Sequence, residues 1–265
     1  SLLIFPDARQ GAWEYMLPEN LESSRKDPMD GSEADDDPVC LDESFFINND
    51  YRLTTFSFGS QVLQLFCLQS ASTDFDLTGQ LVWPGAVLMN DYISKNAEMF
   101  QGCSAIELGS GVGVTGILCS RFCSEVVLTD HNDEVLRILQ KNIEMQSSTE
   151  CCGMAAERLE WGNAGEMNNV LSKYPGGFDW VIGADICFQQ CSIGLLFETV
   201  ERVLWARKVG DCKFLLSYVS RAKSMDELIV KEAGRRGMRV AEALGALPAI
   251  IYEITLPSHN HRISA

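Results

Sequence analysis

The chain has 265 residues, of which 46% are hydrophobic and 22% are charged, so it can form one large or two small globular domains. Its net charge of −16 disfavours direct binding to nucleic-acid backbones and favours a basic protein partner. No apolar run reaches the roughly eighteen residues of a membrane span, and no secretory signal is recognisable, so we expect a cytoplasmic protein with the nucleus as a second location.

Acidic residues are concentrated near the start of the chain. Residues 19–43 hold ten acidic and two basic residues together with two prolines. This composition predicts a flexible, solvated segment within an N-terminal extension over residues 1–45, followed by a single domain over residues 46–265.

The ten cysteines lie mostly inside apolar segments, and no two CxxC motifs are present. With only three histidines in the chain, this pattern favours buried, reduced thiols and predicts no metal site.

Strand and helix patterns alternate along the rest of the chain. A β-hairpin is predicted at 51–69, around Gly59 and Ser60. The predicted strands after it are 104–108, 125–129, 155–161, 178–184 and 213–219. The predicted helices between and after them are 114–122, 133–146, 192–206 and 224–237. Strand, helix and strand at this spacing indicate a parallel sheet.

Two further strands, at 238–244 and 249–256, are separated by a short Gly and Pro turn and must therefore pair antiparallel. A mostly parallel α/β sheet with a terminal antiparallel hairpin is typical of the Rossmann-like, seven-stranded class I methyltransferase fold. The hairpin at 51–69 is then an N-terminal β-hairpin extension of that fold.

A glycine-rich segment, IELGSGVGVTG at 106–116, follows a strand and opens a helix. Glycines there let the main chain turn tightly and approach a ligand at the helix N-terminus. The spacing also satisfies GxGxxG, and Asp130 lies about twenty residues further on, as in a dinucleotide site. On the glycines alone, both NAD and S-adenosylmethionine are possible ligands.

Glu107 separates the two cofactors. It lies two residues before the first glycine, where its charge would repel a pyrophosphate and would attract the ammonium and sulfonium groups of S-adenosylmethionine. We therefore expect S-adenosylmethionine as the cofactor, with Asp130 accepting both ribose hydroxyls. The alternative role for Asp130 is a helix N-cap, for which Asn132 is better placed.

Asp185 interrupts the apolar run DWVIGADICF at 179–188, at the carboxyl end of a predicted strand. Open α/β sheets bind their ligands at this end of the strands, so Asp185 is a candidate ligand contact.

Five motifs together resemble the family-16 seven-β-strand methyltransferases, which are chiefly protein-lysine methyltransferases. They are LVWPGAVLMNDYI (81–93), IELGSGVG, LTDHN (128–132), LEWG (159–162) and DWVIGADICF. The resemblance covers about residues 45–256 and excludes the acidic segment.

The resemblance implies a set of cofactor contacts. Trp83 would lie against the methionine end of the cofactor, Trp161 would flank the adenine, and Ala184 would pack beneath the cofactor. The remaining contacts would come from the glycine loop and from the ribose side, namely Glu107, Gly109, Ser110, Gly111, Asp130 and His131.

The family usually has a DxxY pattern at the substrate amine, and this chain has Asp185 followed by Phe188. The aspartate is kept and the hydroxyl is missing. Tyr218, at the end of the following strand, is a candidate replacement, with packing as its alternative role. Arg221 either orients an acid or is solvated.

The favoured function is transfer of methyl groups to a lysine of a protein substrate that is basic or presents a lysine, by an enzyme we expect to be a monomer. Two alternatives stay open: a small-molecule N-methyltransferase on the same fold, and a binding module without catalysis.

Overall fold

The computed structural model describes residues 51–68, 75–146 and 153–257. The predicted extension over 1–45, including the acidic segment, lies outside the described residues. Among those that are described, no helix is long and apolar enough to cross a membrane.

The predicted β-hairpin is confirmed. Strands β1 (Arg52–Phe58) and β2 (Gln61–Cys67) pair antiparallel in a sheet of their own, with Gly59 in the turn. One face of the hairpin is buried through alternate apolar residues, such as Phe56 and Leu65, as the period of a strand requires.

The main sheet has seven strands, which confirms the predicted class I methyltransferase fold. They are β3 (Ser104–Leu108), β4 (Glu125–Asp130), β5 (Gly153–Arg158), β6 (Trp180–Ala184), β7 (Lys213–Val219), β8 (Arg239–Ala246) and β9 (Ala249–Thr255). Their order is β5-β4-β3-β6-β7-β9-β8. The pairs among β3 to β7 are parallel, and β9 runs antiparallel to both β7 and β8. The short turn between β8 and β9 predicted the second of these antiparallel pairings.

Six α-helices connect the described strands. They are α1 (Pro84–Lys95), α2 (Val114–Cys119), α3 (Asp133–Gln146), α4 (Ala164–Lys173), α5 (Gln190–Ala206) and α6 (Lys223–Arg235). Short 3₁₀ helices cover Phe75–Gln80 and Ala97–Met99.

Several boundaries differ from the prediction, most of them by one or two residues. Helix α2 ends at Cys119, three residues before its predicted end. Strand β5 begins earlier and ends at Arg158, opposite Asp130, the last residue of its partner β4. The Asp130 carbonyl still accepts a hydrogen bond from the N–H of Leu159, and no residue of β4 lies opposite the chain beyond that point. The prediction that Trp161 ends this strand is therefore wrong, and Trp161 lies in the following loop.

Helix α4 was missing from the predicted elements. It buries only Met167 and Val170, so its apolar pattern is too sparse to stand out. Its start is nevertheless capped well, since the side chain of Asn163 accepts hydrogen bonds from the N–H groups of Gly165 and Glu166.

The main hydrophobic core packs α4, α5 and α6 against one face of the sheet. Alternate residues of β7, such as Phe214 and Leu216, meet Phe197 of α5 and Ile229 of α6 there, all of them fully buried. After the neighbouring strands β3 and β6, the chain continues in opposite directions along the sheet, to β4 and to β7. A ligand site is expected at the carboxyl edge of such a switch point.

Candidate active site

A cleft of about 280 Å³ opens at the carboxyl ends of β3, β4 and β6. All of the site residues predicted from the sequence line it, except Tyr218. Those in the cleft are Trp83, Glu107, Gly109, Ser110, Gly111, Asp130, His131, Trp161, Ala184, Asp185 and Phe188. The structure therefore brings the glycine loop and the residues that follow β6, Asp185 to Phe188, into one cavity, although they are far apart in the sequence.

The glycine loop turns as the motif predicts. Gly109 and Gly111 have φ angles of 64° and 54°, in the left-handed region that favours glycine. A Cβ atom on Gly111 would lie 2.5 Å from the carbonyl oxygen of Gly79. Gly111 is thus required both for the turn and for the close approach of the segment that precedes α1.

Glu107 lies in the wall of the cleft near the end of β3 and is almost completely buried. Its Oε2 accepts a hydrogen bond of 2.9 Å from the N–H of Gly116. Burial raises the pKa of Glu107 to about 8, against the lowering effect of this and other hydrogen bonds. A carboxyl group desolvated in this way gains most from a positively charged ligand.

Asp130 fixes the glycine loop to the end of β4. Its Oδ2 accepts a hydrogen bond from the N–H of Gly111, and its Oδ1 accepts from the N–H groups of His131 and Asn132. These three bonds use three of the roughly four acceptor positions of a carboxylate. One position remains on Oδ2 for a ligand hydroxyl, and contact with both ribose hydroxyls would require a loop bond to be released.

Asn132 caps α3, as its position predicted. Its Oδ1 accepts hydrogen bonds of 2.9 Å and 3.2 Å from the N–H groups of Glu134 and Val135. Asp130 is therefore not needed as the helix cap and is left for the loop and its ligand.

Asp185 sits just beyond β6 with a φ angle of 59°, a conformation that aspartate tolerates better than most residues. Arg221 donates two hydrogen bonds to it, from Nη1 to Oδ1 at 2.9 Å and from Nη2 to Oδ2 at 3.0 Å. The N–H of Gly85 also donates to Oδ2, at 3.1 Å. The side chain of Asp185 is fully enclosed by these donors, and Arg221 is the residue of the pair that remains partly exposed.

Two further hydrogen bonds extend this network across three elements. The N–H of Asp185 donates to the carbonyl of Ser217 on β7, and Ser217 Oγ donates to the carbonyl of Gly85 on α1. A Cβ atom on Gly85 would lie 2.6 Å from the Cβ of Asp185. Asp185 thus aligns β6, β7 and the start of α1 along this side of the cleft.

Of the two roles considered for Arg221, orienting an acid and being solvated, its hydrogen bonds to Asp185 support the first. Its guanidinium also lies over the ring of Trp83, with Cζ 5.7 Å from the ring centre. Arg221 itself is not part of the cleft lining and contacts two residues that are, Asp185 and Trp83.

Two large apolar side chains lie exposed at the cleft, which the exposed polar side chains of His131 and Glu160 also line. Phe188 is 42% exposed and Leu195 is 47% exposed, and both line the cavity. Deeper in, Trp161 lies against the glycine loop, 3.3 Å from the position a Cβ would take on Gly109. These side chains offer apolar walls to a flat or aliphatic ligand group.

Tyr218 is the one predicted residue that the structure does not bring to the cleft. It is fully buried in the core, and its hydroxyl donates a hydrogen bond of 2.7 Å to Oδ1 of Asp226 on α6. Burial and this bond raise the pKa of Tyr218. Its hydroxyl is committed to α6, so it does not replace the hydroxyl that Phe188 lacks.

Several cleft residues escaped the sequence reasoning. Thr78 and Gly79 line the wall beside the glycine loop, and they precede the LVWPGAVLMNDYI motif without a pattern of their own. Leu81, which also lines the cleft, is the first residue of that motif. Thr115 lies inside the motif at 106–116, so the motif itself was a usable signal for it.

The cleft suits S-adenosylmethionine. A buried carboxyl beside a glycine cradle is what a polar, cationic ligand would satisfy, and the hydroxyl of Thr115 lies buried in the same wall. No group of three His, Cys, Asp or Glu side chains in the described part of the chain could hold a metal ion.

Comparison with known proteins also indicates a methyltransferase. A sequence model described as lysine methyltransferase matches residues 66–232. Protein N-lysine methyltransferase METTL21A from Mus musculus is 31% identical over 151 residues, which cover 56% of this chain and 64% of that protein. Protein-lysine N-methyltransferase EFM3 from Chaetomium thermophilum is 24% identical over 205 residues, covering 75% of this chain and 60% of that protein. The chain thus spans less than two thirds of the length of these relatives.

Among solved structures, the 16S rRNA methyltransferase RsmC of T. thermophilus, in complex with AdoMet and guanosine, superimposes with a TM-score of 0.54. It is 16% identical, and the match covers 78% of this chain and 51% of that one. At this identity the similarity shows a shared fold.

Proposed function

The chain belongs to the lysine methyltransferase family, and we propose that it transfers methyl groups from S-adenosylmethionine to a lysine side chain of a protein substrate. The observation that carries the proposal is the shared cleft. It joins a glycine loop and buried Glu107 on one side to Asp185 and Phe188 on the other. A donor site and an acceptor site are therefore contiguous.

The donor side would hold the cofactor, which supplies an electrophilic methyl group on a positively charged sulfur. Glu107 offsets the positive charge, and Gly111 lets the main chain approach closely. Asp130 Oδ2 accepts a ribose hydroxyl, and Trp161 packs against the base.

The acceptor side must receive a lysine amine without its proton, since the amine of free lysine has a pKa of about 10.4. A lone carboxylate would hold the protonated amine more strongly. In this site Arg221 neutralises Asp185, so that the pair presents no net charge to the incoming amine. Phe188 adds an apolar wall that also disfavours the ammonium form.

Alignment is the main task left to the protein, because methyl transfer from sulfur is an in-line displacement. The network of Asp185, Gly85 and Ser217 holds the carboxyl end of β6 rigid, and Trp83 lies at the start of α1 beside it. The substrate amine would be directed between Trp83 and Phe188 toward the methyl group.

The protein substrate is proposed to be basic, in keeping with the net charge of −16. The cytoplasm, with the nucleus as a second location, is proposed as the site of action, and a monomer as the active form. Several described cysteines are free thiols, which suits a reducing compartment: Cys103, Cys123, Cys187, Cys191 and Cys212.

A small-molecule N-methyltransferase is the second candidate. Phe188 favours it, since the chain lacks the hydroxyl that the family usually presents to a lysine amine.

Incubation of the purified chain with methyl-labelled S-adenosylmethionine and a fractionated cell extract tests the proposal. We expect label in protein and, after hydrolysis, in methyllysine. The Gly111→Ala variant serves as the control for background transfer. Label confined to the low-mass fraction would favour the second candidate, and tight cofactor binding without any transfer would indicate a binding module.

A further inference from the structure

Helix α3 presents two amide side chains to the outer edge of the N-terminal hairpin. Asn142 Oδ1 accepts a hydrogen bond of 2.7 Å from the N–H of Phe66, and Asn142 Nδ2 donates one of 3.0 Å back to the Phe66 carbonyl. One turn further on, Gln146 Nε2 donates a bond of 2.9 Å to the carbonyl of Gln64. Both amides thus bind the main chain of β2 on the side that faces away from β1.

The spacing of the two elements makes this possible. Four residues of an α-helix rise about 6.0 Å, and two residues of a strand rise about 6.6 Å. Asn142 and Gln146 therefore meet Phe66 and Gln64 in register. The hairpin is fixed to α3 through its main chain, whatever its outward side chains are.

Asn142 makes one more contact, and that contact reaches the cofactor loop. Its Nδ2 also donates a hydrogen bond of 2.9 Å to the carbonyl of Val112, which lies between the two inner glycines and lines the cleft. Asn142 is completely buried, and both of its N–H donors are used. Gln146 makes no such bond to the loop.

The hairpin holds the opposite wall of the cleft as well. Just beyond β2, the N–H of Leu68 donates a hydrogen bond of 2.9 Å to the carbonyl of Gln80. Gln80 follows Gly79, the residue whose carbonyl packs closely over Gly111. Both sides of the glycine loop are therefore held through the end of β2, one side through Phe66 and Asn142 and the other through Leu68 and Gln80.

We propose that Asn142 is a positioning residue for the cofactor loop, which uses the edge of the N-terminal hairpin as a fixed support. Three of the hydrogen-bonding positions of the Asn142 amide are occupied, and two of them are taken by Phe66. Because the amide is planar, these two bonds to the hairpin set the direction of the remaining N–H, which points toward Val112. The loop then keeps the shape that binds the cofactor before the cofactor arrives, which lowers the ordering cost of binding. This inference rests on the proposed function for the identity of the cofactor.

Matched variants separate loop positioning from general stability. Asn142→Asp keeps the shape and the acceptor oxygen but removes both donated bonds. Gln146→Glu removes the donated bond to the hairpin and leaves the loop untouched. Calorimetric titration of the full chain with S-adenosylmethionine, well below the melting temperature of each variant, should show affinity lowered about tenfold for Asn142→Asp, the effect of one buried hydrogen bond. We expect Gln146→Glu to bind within about twofold of wild type even though its hairpin is less stable.

The wild-type chain provides a second test that needs no variant. Coupling is reciprocal, so cofactor binding should slow hydrogen exchange at the amide of Phe66 as well as in the loop at 109–113. Equal affinities for wild type and Asn142→Asp, equal losses in both variants, or an unchanged exchange rate at Phe66 would overturn the inference. A wild-type chain that binds no S-adenosylmethionine would instead remove the proposed function itself.

Discussion

The raised pKa of Glu107 predicts that cofactor affinity depends on pH in a specific way. Burial brings the pKa of this carboxyl to about 8, so in the free protein only about one molecule in ten carries the charge at pH 7. A cationic cofactor attracts the ionised form, so its binding must release the proton. Affinity for S-adenosylmethionine should therefore rise about tenfold from pH 6 to pH 7, or about 1.4 kcal/mol, and should level off above pH 8.

Calorimetry from pH 6 to pH 9, in pairs of buffers with different ionisation enthalpies, measures both the affinity and the released proton. The Glu107→Gln variant is the matched control. The amino group of the cofactor titrates near the same pH, at about 7.7–8.0 for an ordinary α-amino group, but equally with both proteins. The difference between the two curves belongs to Glu107. Identical pH dependence for wild type and variant would refute the reasoning.

The raised pKa of Glu107 also affects the stability of the free protein. The folded state keeps a proton on Glu107 that the unfolded state releases at its ordinary, lower pKa, so the unfolded state binds fewer protons between the two values. Stability without cofactor should therefore fall as the pH rises from about 4.5 to about 8. Glu107→Gln should remove this part of the decline in chemical-denaturation experiments at several pH values.

Three substitutions test other parts of the site. Gly111→Ala adds a methyl group 2.5 Å from a carbonyl oxygen at a positive φ, so cofactor affinity should fall at least about tenfold while circular dichroism stays native; unchanged affinity would contradict the loop geometry. Arg221→Met leaves the buried carboxylate of Asp185 without its cation and should cost about 3 kcal/mol in urea unfolding, and adding Asp185→Asn should restore most of that loss. An equally unstable double variant would show that charge pairing is not the cause. Tyr218→Phe should lower stability by about 1–2 kcal/mol through the lost bond to Asp226 but keep methyl transfer, and a selective loss of transfer would return Tyr218 to the active site.

Local patterns predicted most of the fold. The apolar runs of β3, β4, β6 and β7 have nearly the observed bounds, since buried parallel strands are continuous hydrophobic stretches. Glu107 and Asp130 were found because polar residues at the ends of such strands stand out against the run. Helix α4 was not found, because two buried side chains make no visible period.

Side-chain contacts between residues far apart in the sequence could not be predicted from local patterns. Arg221 lies 36 residues from Asp185, and nothing near it shows that its guanidinium turns back to the end of β6. Tyr218 and Ser217 are adjacent on β7 and point to opposite faces of the sheet, since side chains alternate along a strand. Which face holds the cleft depends on helix packing, and the structure puts Ser217 on the side of α1 and Tyr218 in the core.

The central claim, a lysine methyltransferase acting on a protein, is tested most directly in cells from which the gene for this chain has been removed. Mass spectrometry should find at least one lysine that loses methylation and regains it with the wild-type chain, but not with Gly111→Ala. Unchanged methylation at every detected lysine, or equal restoration by the two forms, would contradict the claim.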